Sequence, residues 1–524
     1  MNRPLLILIL VLGAAGVALA LRCPRLEERP MHNDEAVNAI KFGQLWQQGG
    51  YRYDPNEHHG PSLYYATLAV GRLTGAPDFD HYSENRLRLV TVLFGMGLIL
   101  LLPLVADGLG LKGTAWAALF TAVSPAFVFY SRYFIHEMLL VFFTLLALAG
   151  GWRYWRSRKV GWILLAGAGV GLMDATKETF VLTLAAAGMA LGLNLAWSRL
   201  VDASGSPSKV PPLNRRHLAL ACLIWAVLAI VLFSSFFTNA AGPLDSLRSY
   251  LPWIQRAEGQ SPHIHPWYFY LHRLLWFHKG NGPVWTEVPV FLLAVVAVFA
   301  GFRRRRLAEA DASFVRFLAF FALTLIACYS LIGYKTPWCL LSFWHPVVLL
   351  AGVGAAVLVE SYRPEAVKIG ARILVLIGAG YLACQAWQQD TEYAADPRNP
   401  YAYAQTSSDI LDLVSAVEGL AKVSPEGYET EVKAMAPEDD YWPLPWYLRR
   451  FKQIGWYHKV PEDPYAPIII ISPALQQPLD ESKAHLMGFY GLRPPQTRLA
   501  LFVDPQLWTK WLSAHSTGVN SDSK

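Results

Sequence analysis

The chain opens with the apolar run Leu5-Leu6-Ile7-Leu8-Ile9-Leu10-Val11-Leu12 and soon afterwards reaches Met31-His32-Asn33-Asp34-Glu35. The run is followed by Arg22-Cys23-Pro24-Arg25 and not by a small-residue cleavage site, so it is interpreted as a membrane anchor and not as a signal peptide. The two adjacent carboxylates therefore lie where the chain leaves the bilayer. Because such groups are costly to desolvate and add nothing to a lipid-facing helix, the pair indicates a functional site.

The composition of the 524 residues is that of a membrane protein. Hydrophobic residues make up 54% of the chain and charged residues 16%, whereas soluble domains are about 25% charged. The five cysteines show no paired spacing, so neither a disulfide nor a zinc site is predicted. The net charge of +6 follows from membrane topology, and no nucleic-acid partner is predicted.

Eleven transmembrane helices are predicted, because the chain holds that many apolar stretches close to the length needed to cross hydrocarbon, about 20 residues. They cover residues 5–22, 88–106, 114–130, 138–152, 160–175, 178–197, 218–237, 284–302, 313–332, 339–359 and 371–388.

Basic clusters near the ends of these spans predict the orientation of the chain. The clusters are residues 153–159, 199–216, 303–306 and 363–372, and positive charge close to a span marks the cytoplasmic side. The sequence therefore predicts a multi-pass protein of the cell (inner or plasma) membrane with a cytoplasmic N-terminus. An odd number of crossings places everything after Gln388 outside.

The last part of the chain differs in character. From about Asp390 onward it has no spanning segment. Residues 408–420 show helical spacing, and residues 466–472 and 499–503 are typical of buried strands. The sequence thus predicts a membrane domain at 1–389 and a small extracytoplasmic α/β domain at 390–524.

The segment after the first span predicts a helix lying along the membrane surface. Apolar residues follow Asp34-Glu35 at near-helical spacing up to Trp46. Asn33 or Asp34 would serve as the N-cap of this helix, which is the structural alternative to a catalytic role. Capping does not account for the cluster Glu57-His58-His59 in the same segment, so a site is favoured.

Further charged residues follow other spans on the same side. Arg132 and Glu137 lie after the third span, Lys177 after the fifth and Lys335 after the ninth, with His345 inside the next helix. Charges at single helix ends simply snorkel to the surface, but the positive-inside bias predicts depletion of Lys and Arg here. Their recurrence predicts one pocket with carboxylates for base or metal chemistry and cations for a phosphate.

The outer segment 233–283 is rich in aromatic and histidine residues. Such rings stack on sugars, yet Trp and Tyr also form interfacial belts, and both interpretations stay open. The pair His263 and His265 has no carboxylate or cysteine spacing that supports a metal site. Further along, Trp442-Pro443-Leu444-Pro445-Trp446 is either carbohydrate-facing or rigid packing.

Together these motifs resemble the integral-membrane glycosyltransferases of the GT-C fold, which include protein O-mannosyltransferases, aminoarabinose transferases of lipid A and oligosaccharyltransferase subunits. The motifs are the acid pair after span one, Pro61-Ser62-Leu63-Tyr64-Tyr65, Arg132 with Glu137, Thr176-Lys177 and Lys335-Thr336-Pro337. A narrower resemblance is to the flippase-activity-associated Agl23-like proteins, and it is carried by His59-Gly60-Pro61 and by residues 399–406 and 440–447.

The resemblance implies an all-α polytopic GT-C-like membrane domain that transfers a sugar from a polyprenyl-phosphate donor. Its acceptor would be a glycan, a lipid or a protein at the extracytoplasmic face. A non-catalytic accessory or transporter for lipid-linked sugars is the main alternative. An inactive scaffold of a glycan-assembly complex is the third.

The resemblance also implies roles for individual residues. Asp34 would be the general base, supported by Glu35 and Glu137, because a carboxylate base suits displacement at an anomeric carbon. The implied phosphate-binding residues are His59, Arg132, Lys177 and Lys335, and the implied substrate-binding residues are Tyr64, Trp338 and His345.

The resemblance does not fix a cofactor. A divalent cation, Mg²⁺ or Mn²⁺, is the one candidate, with Asp34 and Glu137 as its ligands. Two departures from the family pattern bear on the roles of these residues. His59 stands where the aminoarabinose transferases usually carry lysine, and no Asp-x-Asp follows span three.

Overall fold

A computed structural model describes residues 3–56, 59–201, 213–258, 261–304, 307–362, 364–493 and 497–516. The predicted Glu57 and His58, and parts of the basic clusters at 202–212, 305–306 and 363, lie outside the described residues. Helices dominate the chain up to Asp390, and a five-stranded sheet lies in the last part.

The first part of the chain is helical. Its helices are α1 (Arg3–Arg22), α2 (Asn33–Gln48), α3 (Ser62–Leu73), α4 (Glu84–Leu101), α5 (Ala106–Leu109), α6 (Leu111–Val123), α7 (Pro125–Ser131), α8 (Glu137–Ser157), α9 (Val160–Asp174), α10 (Phe180–Leu200), α11 (Arg215–Phe233), α12 (Gly242–Arg248), α13 (Tyr250–Glu258), α14 (Phe269–Leu275), α15 (Val288–Arg303), α16 (Ala312–Leu331), α17 (Leu341–Glu360) and α18 (Glu365–Asp390).

Each of the eleven predicted spans coincides with an apolar helix or helix pair. Among the described residues, eight helices are long and apolar enough to cross a membrane, and the pair α6–α7 makes a ninth span bent by 57°. The other two predicted spans are the shorter apolar helices α9 and α15. The bend lies at Ser124-Pro125, because proline has no N–H with which to continue a helix. The chain is a multi-pass membrane protein.

Helix α17 forms the centre of the bundle. In the span Pro337–Glu360, 94% of the most apolar window is buried inside the protein, against 17% for α11 and 22% for α18. A Cβ on Gly352 would meet the carbonyl oxygen of Gly113 at 2.5 Å, and one on Gly354 would meet that of Leu293 at 1.7 Å. Glycine is therefore required where α6 and α15 approach this helix.

The two ends of the bundle carry different loops. At one end, which we call the site end, lie the long segments after α1 and after α11, and Arg132 contacts Asp390 there. At the opposite end Lys112 pairs with Glu360 at 2.9 Å, and Arg153 lies in the last turns of α8. Basic residues of the predicted clusters lie in the last turns of α8 and α10 at that opposite end. Which end faces the cytoplasm stays a prediction.

The last part of the chain is a small α/β unit, as predicted. Its elements are α19 (Asp409–Val423), β1 (Val432–Met435), α20 (Leu444–Tyr447), β2 (Ile454–Tyr457), β3 (Ile468–Ile471), β4 (His485–Arg493), β5 (Thr497–Val503) and α21 (Pro505–Ser516). The sheet order is β2-β1-β3-β5-β4, with β1 parallel to β2 and β3, and β5 antiparallel to β3 and β4. Strand β3 is four buried isoleucines, typical of a central strand covered on both faces.

The α/β unit packs on the helices of the first outer segment. Trp446 is fully buried, and its indole N–H donates to Glu84 at 2.7 Å. Arg449 donates to the backbone carbonyls of Phe79 and Tyr82, and the hydroxyl of Tyr447 accepts from the N–H of Met31 at 2.8 Å. The segment Trp442–Trp446 thus includes a packing residue. The boundary at residues 389–390 stays a prediction, and helix α18 ends at Asp390.

Candidate active site

Helix α2 begins one residue earlier than the sequence suggests. Its N-cap is His32, whose Nδ1 accepts from the N–H of Asp34 at 3.1 Å, so the prediction of Asn33 or Asp34 as the cap is wrong. Burial lowers the pKa of His32, and the neutral ring carries its proton on Nε2, which donates to the carbonyl of Tyr403 at 3.1 Å. The cap therefore ties the start of α2 to the segment that follows α18. Glu35 completes it as a capping box, because its carboxylate accepts from the N–H of His32 at 3.0 Å, whereas the side chain of Asp34 takes no part in the cap.

Glu35 is a structural anchor. Its side chain is 0% exposed and pairs with Arg29 at 2.9 Å and with Arg88 at 2.9 Å. It also accepts from the N–H of His32 and from the N–H of Phe134. Burial alone would raise the pKa of Glu35, but Arg29 and Arg88 hold it well below the usual range. We therefore assign this carboxylate to holding the helices together.

Asp34 has the opposite surroundings. Its side chain is 45% exposed, and the ring of His32, 4.0 Å away, is the nearest basic group that the described part of the chain provides for an ion pair. Asp34 lines a cavity of about 340 Å³, which we call the Asp34 cavity. The two neighbouring acids therefore differ in their surroundings. Glu35 points into the protein, and Asp34 points into an open cavity at the site end.

The Asp34 cavity lies between the helical bundle and the α/β unit. From the bundle, Thr336 and Trp338 line it at the start of the α17 span, so the predicted substrate residue Trp338 is in place. From the α/β unit come residues that the sequence did not single out for the site, namely Glu438, Asp439, Asp440 and Arg493. Arg493 pairs with Asp440. No local sequence signal assigns these residues to the site, because they come near Asp34 only through packing of the two parts.

Arg132 does not face the Asp34 cavity. Its guanidinium donates to the carbonyls of Arg22 at 2.9 Å and Pro24 at 2.6 Å, and it lies 3.4 Å from Asp390. It is 5% exposed. The structure thus places Arg132 as a clamp that fixes the chain where it leaves α1.

Glu137 and Lys177 bind each other. Both side chains are buried and form an ion pair between the start of α8 and the loop after α9. Neither lines the Asp34 cavity. The prediction that Glu137 shares one pocket with Asp34 is therefore not met by this geometry, since its carboxylate is held by the lysine.

His59 and Tyr64 lie in a neighbouring cluster. Nδ1 of His59 is 2.8 Å from a carboxylate oxygen of Glu178, and its ring stacks on Trp253 at 5.0 Å. The hydroxyl of Tyr64 donates to Asn38 at 2.9 Å, and the residue is fully buried. Tyr64 therefore belongs to the core under α2 and α3.

Lys335 differs from the other predicted cations. It is 2% exposed, yet within the described residues it has no carboxylate partner. Its Nζ donates instead to the carbonyls of His265, at 3.0 Å, and Ile332. Burial lowers the pKa of Lys335. His345 lies deeper, packed edge-on against Phe127 at 5.6 Å.

Arg273 is a cation that sequence reasoning missed. Its guanidinium lies 3.7 Å from the ring centre of Phe269, and its buried Nε has no hydrogen-bond partner. The part of the chain that the structure describes gives it no ion pair, and burial lowers the pKa of Arg273. His265 stacks on Phe269 at 4.2 Å, so arginine and histidine lie on opposite faces of one ring. The spacing of Phe269 and Arg273, four residues apart on α14, was the available signal.

A tyrosine hydroxyl joins the two predicted histidines. The hydroxyl of Tyr403 lies 2.8 Å from Nδ1 of His263 and 2.8 Å from Nε2 of His265. One hydroxyl proton serves one ring, so the other ring must donate to the oxygen. Burial, with smaller effects of Arg273 and Lys335, lowers the pKa of His265 to about 4, and burial also lowers that of His263. Both rings are therefore neutral near pH 7.

This cluster gives an expected pH dependence of stability. Because the pKa of His265 is depressed on folding, the unfolded chain binds the extra proton between about pH 6.5 and pH 4. The stabilisation by the neutral ring is complete above pH 6.5 and is lost as the pH falls towards 4. We expect the unfolding temperature of the purified protein to fall less steeply over this range in His265→Gln than in the wild type. Parallel curves would contradict the assignment.

A metal site is not apparent at the predicted ligands. Asp34 and Glu137 line no common cavity, and Glu137 is engaged by Lys177. Within the described ranges no group of three or more His, Cys, Asp or Glu side chains is arranged to hold a metal ion. The residues present do not fit a divalent cation bound by that pair.

Comparison with known proteins bears on the fold. A family model described as dolichyl-phosphate-mannose-protein mannosyltransferase matches residues 65–241. No curated protein matches the chain in sequence. The structure of ArnT from Cupriavidus metallidurans in the apo state is similar, with a TM-score of 0.61 and 15% identity over 95% of this chain and 98% of ArnT.

Two further structures agree. ArnT bound to undecaprenyl phosphate gives a TM-score of 0.58 at 15% identity, again over 95% of this chain and 98% of that one. The apo oligosaccharyltransferase of Archaeoglobus fulgidus gives 0.56 at 12% identity, over 86% of this chain and 64% of that one. The chain has the GT-C fold.

The similarity to ArnT covers both parts of the chain. The match to ArnT extends over nearly the whole chain, so it includes the α/β unit as well as the helices. The matched family region begins at residue 65 and therefore leaves out Asp34, whose role has to be argued from its geometry. The narrower resemblance to Agl23-like proteins stays a prediction.

Proposed function

We propose that this GT-C protein transfers a sugar from a polyprenyl-phosphate donor to a hydroxyl acceptor at the site end of the bundle. One observation carries the proposal. Asp34 presents a carboxylate without a Lys or Arg partner among the described residues to the Asp34 cavity, while the adjacent Glu35 is bound by two arginines. An available carboxylate at the edge of the membrane is what a general base for a lipid-linked donor requires.

The proposed step is a single displacement at the anomeric carbon. The acceptor oxygen attacks that carbon, Asp34 takes the acceptor proton, and the bond from the carbon to the phosphate oxygen breaks. The products are the new glycoside, with inverted configuration, and polyprenyl phosphate. No part of this step passes through a divalent cation. Glu438 and Asp439, which also line the cavity, supply oxygen atoms that accept hydrogen bonds from sugar hydroxyls.

The leaving phosphate needs positive charge. Lys335 and Arg273 lack carboxylate partners within the described residues. Both lie close enough to His265 for their charges to lower its pKa. Lys335 is buried and Arg273 is half-buried, and a cation withdrawn from water without a counter-ion is costly unless a ligand supplies the negative charge. We assign the donor phosphate to these two residues. His59, Arg132 and Lys177, the other predicted phosphate ligands, are held by Glu178, Asp390 and Glu137.

A lipid donor is supported by two comparisons. The matching family model is described by a dolichyl-phosphate-mannose donor, and ArnT was solved with undecaprenyl phosphate bound. We therefore propose a hexosyl-type transferase in the cell membrane. Its N-terminus would be cytoplasmic, and its α/β unit and Asp34 cavity extracytoplasmic, as the basic clusters predict.

Neutralising the proposed phosphate ligands tests the donor site. We expect Arg273→Gln and Lys335→Gln each to raise KM for a polyprenyl-phosphate sugar about tenfold or more, because a hydrogen bond to a charged group contributes about 1.5–3 kcal/mol. The measurement is release of polyprenyl phosphate by purified protein in lipid nanodiscs. Lys112→Gln, at the opposite end of the bundle, is the control. An unchanged KM in both variants would show that Arg273 and Lys335 do not bind the donor phosphate.

The transporter alternative makes a different prediction. A protein that only moves the lipid-linked sugar forms no glycosidic bond, so the purified protein would release no polyprenyl phosphate from its donor when acceptor is present. Mass spectrometry of cell-envelope glycans with and without the gene shows which product depends on the chain. Release of lipid phosphate together with a gene-dependent sugar supports the enzyme.

A further inference from the structure

A second, larger cavity lies beside the Asp34 cavity at the site end. Its volume is about 950 Å³, near the upper limit of about 1,000 Å³ that is usual for ligand pockets. We call it the wide cavity. Its wall is formed by Glu28 and Arg29 after α1, by Lys279, by residues 390–392 and 394–397 after α18 and by Ser407 and Ser408. Two parts of the chain thus enclose it, the membrane bundle and the start of the α/β unit.

The two cavities share one partition. His263, Tyr403, Ala404 and Arg493 line both of them. The ring of Tyr403 is held by its hydroxyl between two histidines, so the partition is fixed at that point. Ala404 has φ 47, a backbone conformation that is uncommon for a non-glycine residue. The wide cavity therefore begins directly behind the side chains that line the Asp34 cavity.

Asp390, in the wall of the wide cavity, has a carboxylate oxygen without a hydrogen-bond partner among the described residues. Asp390 is 8% exposed, and its Oδ1 lies 3.4 Å from Arg132. Its Oδ2 is buried and has no hydrogen-bond partner. Buried carboxylate oxygens are normally satisfied, so a donor from a ligand fits here.

The chemistry of the wall favours a carbohydrate. Asp390 and Glu392 offer carboxylates, whereas that of Asp396 is bound by Arg398. Thr391 and Ser407 are hydroxyl residues, and the ring of Tyr403 offers an apolar face. Sugar rings present several hydroxyl donors at one edge and C–H groups on one face, which match carboxylate oxygens and an aromatic ring.

We infer that the wide cavity binds the sugar residues that precede the acceptor hydroxyl, so that the acceptor of this protein is an oligosaccharide. This inference rests on the proposed function, because it places the terminal hydroxyl of the glycan at Asp34. The penultimate sugar lies at Tyr403, and the sugars before it lie against Asp390. A peptide acceptor is the competing class of ligand.

The test fills the wide cavity without touching the Asp34 cavity. Ser408 lines only the wide cavity, is exposed, and its side chain makes no capping hydrogen bond. Ser408→Trp, and independently Ala395→Trp, are compared with Glu481→Trp, an exposed control outside both cavities. Two acceptors are prepared from cells that lack the gene, the envelope glycan fraction and the envelope peptide fraction. Purified full-length protein in nanodiscs is supplied with a polyprenyl-phosphate sugar and either fraction.

We expect transfer to the glycan fraction, and a KM for it at least tenfold higher in Ser408→Trp or Ala395→Trp, with KM for the donor unchanged. Transfer to the peptide fraction, or an unchanged KM for glycan in both filled variants, overturns the inference and leaves the proposed function standing. Failure of the wild type to transfer to either fraction overturns the proposed function itself.

Discussion

Replacing Asp34 by asparagine should reduce sugar transfer by about 10²- to 10⁴-fold, the usual contribution of a general base. Asparagine has nearly the same shape but cannot take the proton of the acceptor hydroxyl. The side chain is 45% exposed and its nearest basic neighbour is a neutral histidine, so the fold should not depend on its charge. The measurement is kcat for polyprenyl-phosphate release in the presence of acceptor.

Three further measurements distinguish loss of the base from misfolding and from loss of donor binding. The unfolding temperature of Asp34→Asn should stay within a few degrees of the wild type, and its affinity for polyprenyl phosphate should be unchanged. The KM for the donor should also stay the same while kcat falls, because the base acts only as the acceptor attacks. Near-normal transfer by a folded Asp34→Asn protein would remove the proposed mechanism.

Replacing Glu35 by alanine should have a large effect of another kind, on stability. Arg29 and Arg88 would be left as buried cations without their shared counter-ion, and the N–H of Phe134 would lose its acceptor. Removing one partner from a buried ion pair costs about 3–5 kcal/mol, a large part of the usual stability of a domain, about 5–15 kcal/mol. We expect a strong fall in the yield of folded protein and in its unfolding temperature.

The matched control is the neighbouring residue. Asp34→Ala changes the same charge one position earlier on the same helix, and it should leave the unfolding temperature almost unchanged while abolishing transfer. Size-exclusion profiles and thermal unfolding of the detergent-solubilised variants measure the difference. Equal stability of Glu35→Ala and Asp34→Ala would show that the buried ion pairs do not hold this end of the bundle.

The contrast between these two acids follows from helix geometry. Adjacent residues on a helix point about 100° apart, so a single helix turn presents one acid to the core and the other to the cavity. The N-cap at His32 sets the rotation at which this happens. Two chemically similar groups thus acquire separate tasks, one in positioning and one in proton transfer.

The helices of the protein were predictable because their signal is local. Eleven apolar stretches, the helix at 408–420 and the strands near 468–471 and 499–503 all have counterparts in the structure. Hydrocarbon forces every backbone polar group of a span to bond within its own helix. The composition of each stretch therefore decides its secondary structure without reference to the rest of the chain.

The tasks of the charged residues at the site end were not predictable in the same way. Arg132, Lys177 and Glu137 look alike in sequence to Lys335 and Asp34, since each follows a span. The structure gives the first three buried partners, Asp390 for the arginine and each other for the lysine and glutamate. Arg273 had no anionic neighbour in sequence or in space, and that absence within the described residues became visible only in the folded chain.

The sequence by itself determined the membrane class, the positions of the apolar helices, the α/β unit at the end and the acid pair beyond the first span. Local composition predicts these features, because the residue types that suit lipid or water at a position do not depend on distant contacts. Only the tertiary structure decided which acid is bound and which is available, and that residues 438–440 and 493 line the same cavity as Asp34. Electrostatic roles depend on the distance to other charges, and residues hundreds of positions apart set that distance here.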